Sequence, residues 1–222
     1  MKQNRMLEQI KAVIFDLDGS LVDSMWMWKT IDIEYLQRFQ ISLPENLQSE
    51  IEGMSFHETA QYFKERFQIA HSLEEIKAAW NTMAWEKYTN EVSLKKGAGE
   101  FLQLCREQGI LLGIATSNSR ELVDQVLAVQ GISELFSCIK TGCEVARGKP
   151  APDIYLAVAA ELGVDPSHCL VFEDIVPGIM AGKSAGMKVC AVEDEYSAPK
   201  REQKKNLADY YIEDFTELTM QS

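Results

Sequence analysis

The residues that bear chemistry fall into four short groups along 222 residues. The first is Asp16-Leu17-Asp18-Gly19-Ser20, after the apolar run Val13-Ile14-Phe15. In extended backbone, residues two apart share a side, so Asp16 and Asp18 can face one ligand. Two carboxylates that close repel each other unless a cation lies between them. A hard cation with oxygen ligands, Mg²⁺ above all, suits them. The second group is Thr116-Ser117-Asn118, after Gly113-Ile114-Ala115. Hydroxyl and amide side chains there, with free backbone amides ahead of a helix, suit phosphate oxygens. The third is Lys149 in Gly148-Lys149-Pro150, a turn before a helix, where an ammonium neutralises a phosphoryl group and its nucleophile. The fourth is Glu173-Asp174, after Cys169-Leu170-Val171-Phe172, which adds two carboxylates to an oxygen site with Asp16 and Asp18.

Each group alone also fits a plainer role. Asp-Gly is a turn, Thr-Ser-Asn and Glu-Asp are helix caps, and most lysines are solvated. Together, three at strand ends and one in a turn before a helix, they point to phosphate chemistry. In open α/β sheets, ligands bind at the carboxyl ends of the strands.

The elements that must position these groups follow from hydrophobic period and punctuation. Val13–Phe15 reads as a buried strand. After residue 97 the pattern alternates: helix 100–108, strand 110–115, helix 120–129, strand 136–140, helix 153–162, strand 169–172, helix 177–185 and strand 187–192, with 210–212 as a further short strand. Gly109, Gly131, Gly163 and Gly186 punctuate the helix ends. Strands alternating with helices predict an α/β fold, a Rossmann-like parallel sheet with helices on both faces. Between residues 24 and 92 the sequence reads as helix only, over 25–39, 57–67 and 73–88. Ser72 with Glu75 forms a capping-box pattern. All four tryptophans, Trp26, Trp28, Trp80 and Trp85, lie there. The expected organisation is a core of residues 1–23 and 93–222 with an all-helical insert of residues 24–92 after the first strand.

The net charge of −12 argues against nucleic acid and anionic membrane surfaces as partners. The single basic run, Lys200, Arg201, Lys204 and Lys205, is flanked by Glu193, Asp194, Glu195 and Glu202 and reads as a solvated face. Five scattered cysteines without a C-x-x-C predict reduced, buried thiols in a cytoplasmic protein rather than disulfides or zinc. The N-terminal stretch lacks the apolar core of a signal peptide, and no run is long enough to span a membrane. A monomer is the default expectation for so acidic a surface.

On these residues the chain resembles the haloacid dehalogenase superfamily, and within it the β-phosphoglucomutase-like subfamily with a helical cap. Asp16-Leu17-Asp18-Gly19-Ser20 matches the first motif D-x-D-G-[T/S], Thr116 the second, Lys149 the third and Glu173-Asp174 the fourth. The resemblance implies that Asp16 attacks phosphorus to form an aspartyl-phosphate and that Asp18 protonates the leaving oxygen and then activates water. It implies Mg²⁺ held by the Asp16 carboxylate, the Asp18 carbonyl and Asp174, with Glu173 joining directly or through water. It implies Thr116 and Lys149 on the phosphoryl oxygens, with Ser117 and Asn118 beside them. Segment 24–92 stands where the cap would be. Asp18 argues for phosphate chemistry, because dehalogenases of the superfamily lack the second acid. No residue clearly matches the cap lysine of the phosphonate-cleaving relatives.

Two departures bear on the reaction. True β-phosphoglucomutases carry a cap histidine twelve residues after the nucleophile, where this chain has Trp28. They also carry an arginine after a Gly-x-Ser in the cap, whereas Gly53-Met54-Ser55 is followed here by Phe56, with His57 adjacent. A mutase must hold a second phosphate, which needs its own cationic partner. The expectation is therefore a phosphatase of a small phosphorylated metabolite, a sugar or polyol phosphate or a nucleotide, with a phosphomutase as the alternative. Trp26, Trp28, Phe56 and His57 are the cap candidates for touching the leaving group, and Trp80 and Trp85 are expected in the cap's own core.

Overall fold

Alternation along the first strand sets the layers. In the computed structural model, which describes residues 6–219, β1 (Ala12–Phe15) sends Val13 and Phe15 into one apolar cluster and Ala12 and Ile14 into another. Successive residues of a strand point to opposite faces, so a sheet with helices on both sides has apolar residues at every position. The elements that follow are α1 (Met25–Gln37), α2 (Leu47–Ile51), α3 (Phe56–Arg66), α4 (Leu73–Asn90), α5 (Ala98–Glu107) and β2 (Leu111–Thr116). Next come α6 (Arg120–Val129), β3 (Cys138–Thr141), α7 (Asp153–Leu162), β4 (Cys169–Glu173) and α8 (Val176–Ser184). The chain ends with β5 (Lys188–Val192), α9 (Arg201–Leu207), β6 (Tyr210–Ile212) and α10 (Thr216–Thr219).

The six strands form one sheet in the order β3-β2-β1-β4-β5-β6, and every pairing is parallel. β1 lies between β2 and β4, with Phe15 beside Ile114 and Phe172. This order brings the carboxyl ends of β1, β2 and β4 together. On one face Phe15, Phe101, Phe172 and Phe215 pack ring on ring. On the other, Tyr155 and Val158 of α7 and Ile179 of α8 cover Ala12 and Ile14.

The helical stretch leaves and re-enters through two adjacent segments. Val22 bridges Leu94, the Asp23 amide donates to the Ser93 carbonyl at 2.9 Å, and the Lys95 amide donates to the Leu21 carbonyl at 2.9 Å. Serine caps start α3 and α4, each as a complete capping box, Ser55 with Glu58 and Ser72 with Glu75. The apolar cluster on the Phe15 face continues into these helices through Met27, Ile31, Tyr35 and Trp80.

Some expectations need correction. Trp80 is 2% exposed as anticipated, but Trp85 is 47% exposed on the outer face of α4. Cys143 is exposed, while the other four cysteines are buried. Lys204 is not on a solvated face. It is fully buried, with its ammonium donating to the Val192 carbonyl at 2.9 Å and the Ser197 hydroxyl at 2.7 Å. The third sheet strand starts at Cys138 rather than Phe136, and α2, α9 and α10 carry too few apolar positions for a periodic signal. No described helix is long and apolar enough to cross a membrane. Residues 1–5, most of the stretch read for a leader, and residues 220–222 lie outside the described residues.

Candidate active site

At the end of β1 the chain makes one more ladder bond, from the Asp16 amide to the Phe172 carbonyl at 2.9 Å, and then turns through Gly19. Gly19 has φ +82°, and a Cβ there would fall 2.4 Å from Asp174 Oδ2, so the turn admits only glycine. Asp16 and Asp18 both line one cavity, as their spacing predicts, although the strand ends at Phe15. Their carboxylates meet different partners.

Asp16 Oδ1 takes a hydrogen bond from Lys149 Nζ at 2.6 Å. The same ammonium donates to Glu173 Oε1 at 2.5 Å and to the Ala115 carbonyl at 3.3 Å. Glu173 has no free oxygen. Oε1 also accepts from the Tyr155 hydroxyl at 2.8 Å, and Oε2 accepts from the amides of Asp174 and Ile175 at 3.0 and 3.2 Å. Asp174 differs. Its Oδ1 accepts from Ser20 Oγ at 2.9 Å, while Oδ2 is buried with no partner.

Asp16, Glu173 and Asp174 each bring an oxygen within 4.8 Å of the others. Three buried carboxylates meet one buried ammonium, a strongly unfavourable charge balance in a low-dielectric pocket. Burial, together with the neighbouring carboxylates, raises the Asp16 carboxyl to about 7 in spite of Lys149. Burial and the charges of Glu173 and Asp16 hold Asp174 well above the usual carboxylate range. Burial pulls the Lys149 ammonium down, but Asp16 and Glu173 outweigh it and keep the group charged. A divalent cation at Asp174 Oδ2 and Asp16 would satisfy the orphan oxygen and offset the excess charge. The donor set is all oxygen, as Mg²⁺ requires.

Asp18 turns instead toward the helices. Its Oδ1 accepts from Ser24 Oγ at 2.6 Å, from Trp28 Nε1 at 3.2 Å and from the Tyr88 hydroxyl, and its Oδ2 accepts from Asn118 Nδ2 at 2.9 Å. Its side chain is outside the acidic cluster. Tyr88 and Ser24 went unremarked as site residues in the sequence. Tyr88 is a lone tyrosine near the end of an amphipathic helix, which looks like any core residue, and it is fully buried. Burial and the Asp18 charge raise the Tyr88 hydroxyl well above its usual value, so it stays a donor.

Thr116 is 1% exposed at the end of β2, and its Oγ1 accepts from the Asn118 amide at 3.1 Å. Ser119, not the Thr-Ser-Asn group, caps α6. Asn118 lines the cavity, and its side-chain amide donates to Asp18 and to the Tyr88 hydroxyl, at 2.8 Å from the latter. The Phe56 amide donates to the Ser117 carbonyl at 2.8 Å, which joins α3 to this loop.

A cavity of about 160 Å³ opens over the cluster. Asp16, Asp18, Thr116, Ser117, Lys149 and Asp174 line its floor, and Trp28, Phe56 and Trp80 line its upper wall. His57 is exposed at the start of α3 and does not line it. Nor does Trp26, which is 42% exposed with its indole on the Asp23 carbonyl.

Asp16, at the end of a central strand of a parallel sheet, pairs with Lys149 beside an acidic oxygen cluster, an arrangement that suits a phosphoryl group on an α/β enzyme. Residues 13–192 match the family model of the haloacid dehalogenase-like hydrolases, and the chain belongs to that family. It is 28% identical over 225 residues to hexitol phosphatase B of Escherichia coli, covering 95% of each chain. It is 29% identical over 223 residues to the bifunctional riboflavin kinase/FMN phosphatase of Arabidopsis thaliana, covering 100% of this chain and only 58% of that longer protein. The crystal structure of CbbY from Rhodobacter sphaeroides in complex with phosphate superposes with a TM-score of 0.83 at 25% identity, covering 94% of this chain and 96% of that one. The chain is thus a hydrolase of the haloacid dehalogenase type, and relatives it resembles are phosphatases of small phosphorylated molecules.

Proposed function

We propose that this chain is a Mg²⁺-dependent phosphomonoesterase that passes the phosphoryl group of a small phosphorylated metabolite through Asp16 to water. The observation that carries the reading is Asp174 Oδ2, a buried oxygen without a partner beside the Asp16–Lys149 pair. A bound Mg²⁺ supplies charge neutralisation at the nucleophile and the phosphoryl oxygens. Asp16 and Asp174 would hold it by their carboxylates and Asp18 by its backbone carbonyl. Glu173, with both oxygens committed, is better suited to fixing Lys149 than to direct ligation.

In this reading Asp16 attacks phosphorus as the ester P–O bond breaks, and Asp18 gives the departing alkoxide its proton. Asp18 then takes a proton from water, which attacks the aspartyl-phosphate and releases inorganic phosphate. Lys149 and the Thr116 hydroxyl hold the phosphoryl oxygens, since positioning and charge neutralisation dominate phosphoryl transfer. Residues 24–92 act as a cap over a core of residues 1–23 and 93–222 and exclude bulk water. The net charge of −12 disfavours a nucleic acid as the phosphate-bearing substrate. A mutase reading gains nothing here, because Lys149 is the only cation among the described residues lining the cavity.

The test is phosphate release with Mg²⁺ from sugar phosphates, polyol phosphates, nucleotides and phenyl phosphate. Release that disappears in Asp16→Asn and in EDTA supports the reading. A folded, Mg²⁺-loaded protein that releases no phosphate from any of them overturns it.

A further inference from the structure

The same cavity is lined by three polar residues that the proposed phosphoryl transfer does not use. Asp32 of α1 is a buried carboxylic acid, 6% exposed, that lines the cavity. Gln48 of α2 donates from Nε2 to Asp32 Oδ2 at 2.8 Å. The Tyr196 hydroxyl, from the loop after β5, donates to Gln48 Oε1 at 2.8 Å. No described donor reaches Asp32 Oδ1, and all three residues line the same cavity. An acid buried in the wall of a cap with one hydrogen bond is costly unless something in the cavity pairs with it.

The loop bearing Tyr196 is fixed. Its amide donates to Asp194 Oδ1 at 2.9 Å, Asp194 pairs with Lys95 at 2.5 Å, and buried Lys204 holds Ser197 at 2.7 Å. Lys200 from the same loop reaches Glu52 at 2.6 Å, just beyond α2. Tyr196 and Gln48 are therefore held against each other by two separate contacts between this loop and the helices.

We infer that Asp32, Gln48 and Tyr196 form a hydroxyl-reading subsite that selects a polyhydroxylated leaving group, a sugar or polyol, on the phosphomonoester. The inference rests on the phosphatase reading of the same site. Hydroxyl groups both donate and accept. Asp32 Oδ1 and the Tyr196 oxygen offer acceptors, and the second N–H of Gln48 offers a donor. Trp28, Phe56 and Trp80 form an apolar wall of the same cavity, which suits the C–H faces of a compact carbohydrate. Burial raises the Asp32 carboxyl to about 7, against the hydrogen bond from Gln48, so near neutrality it is available both as acceptor and as O–H donor. The cavity volume of about 160 Å³ lies below the roughly 300–1,000 Å³ usual for drug-sized ligands, which favours a compact leaving group over a nucleoside.

The test compares kcat/KM of the Mg²⁺-loaded full chain on glucitol 6-phosphate, uridine 5′-monophosphate and phenyl phosphate, for wild type, Asp32→Asn and Tyr196→Phe. Both substitutions are nearly isosteric, and thermal melts confirm that the variants fold. The expected result is that wild type prefers glucitol 6-phosphate to the nucleotide. In each variant the ratio of kcat/KM on glucitol 6-phosphate to that on phenyl phosphate falls about tenfold, mainly through KM. An unchanged ratio in both variants, or a wild type that prefers the nucleotide, overturns the subsite while leaving the phosphatase reading intact. A wild type inactive even on phenyl phosphate overturns the phosphatase reading, and the subsite with it.

Discussion

Gly178 lies directly against the Glu173 carboxylate: a Cβ there would fall 1.8 Å from Oε1 and 2.0 Å from Cδ. No L residue with a side chain fits at that distance, so the first turn of α8 is pressed onto the carboxylate that holds Lys149. Gly178→Ala should push Glu173 aside and with it the ammonium on Asp16. We expect kcat to fall at least tenfold and stability to fall by about 1–3 kcal/mol, the usual cost of overpacking. Steady-state kinetics and thermal denaturation check both. Wild-type kinetics in the alanine variant would show that the carboxylate can move without consequence.

Asp18 accepts four hydrogen bonds, three of them from the helical segment. Tyr88→Phe removes one donor and little volume. Hydrogen bonds to charged groups contribute about 1.5–3 kcal/mol, so kcat on an alkyl phosphate should drop on the order of tenfold or more. Phenyl phosphate, whose leaving group needs less help from a proton, should lose less. Equal losses on both substrates would mean that Tyr88 supports packing and not the proposed acid–base role of Asp18.

The sheet and the convergence of Asp16, Thr116, Lys149 and Asp174 on one cavity were legible because each signal is local. Buried strands read as short apolar runs, and a strand's carboxyl end fixes where its next residues lie. The partners of Asp18 were not legible, because three of them come from the helical segment. Tyr88 was hidden because its partner is 70 residues away in sequence. Trp28 was expected against the leaving group. It lines the cavity, but its indole nitrogen is used on Asp18. Lys204 defied its composition because the Val192 carbonyl and Ser197 meet its ammonium in the interior, and residue type alone does not show which way a lysine side chain turns.

The proposed Mg²⁺ site predicts a metal requirement that is sensitive to one atom, Asp174 Oδ2. Asp174→Asn keeps the shape and can keep the Ser20 contact, but it replaces a charged oxygen facing Asp16 with a neutral group. We expect the Mg²⁺ concentration for half-maximal rate to rise on the order of 10–100-fold, and EDTA to abolish turnover in wild type. Titrating Mg²⁺ against initial rate measures this. An unchanged Mg²⁺ midpoint would remove Asp174 from the ligand set.

Asp32 should leave a signature in stability as well as in selectivity. Its carboxyl is raised by burial from 3.8 to about 7, so the folded state binds the proton more tightly than the unfolded chain. The associated stability is fully present below about pH 4 and is lost as pH rises through about 7. At 1.36 kcal/mol per unit the whole effect is at most about 4 kcal/mol. Asn at this position retains an oxygen for the Gln48 amide and has no proton to lose. Between pH 5 and 8 the wild-type melting temperature should therefore fall relative to that of Asp32→Asn, with the gap closing toward pH 4. Parallel melting curves across that range would show that Asp32 titrates like a solvated carboxyl and that its burial carries no cost.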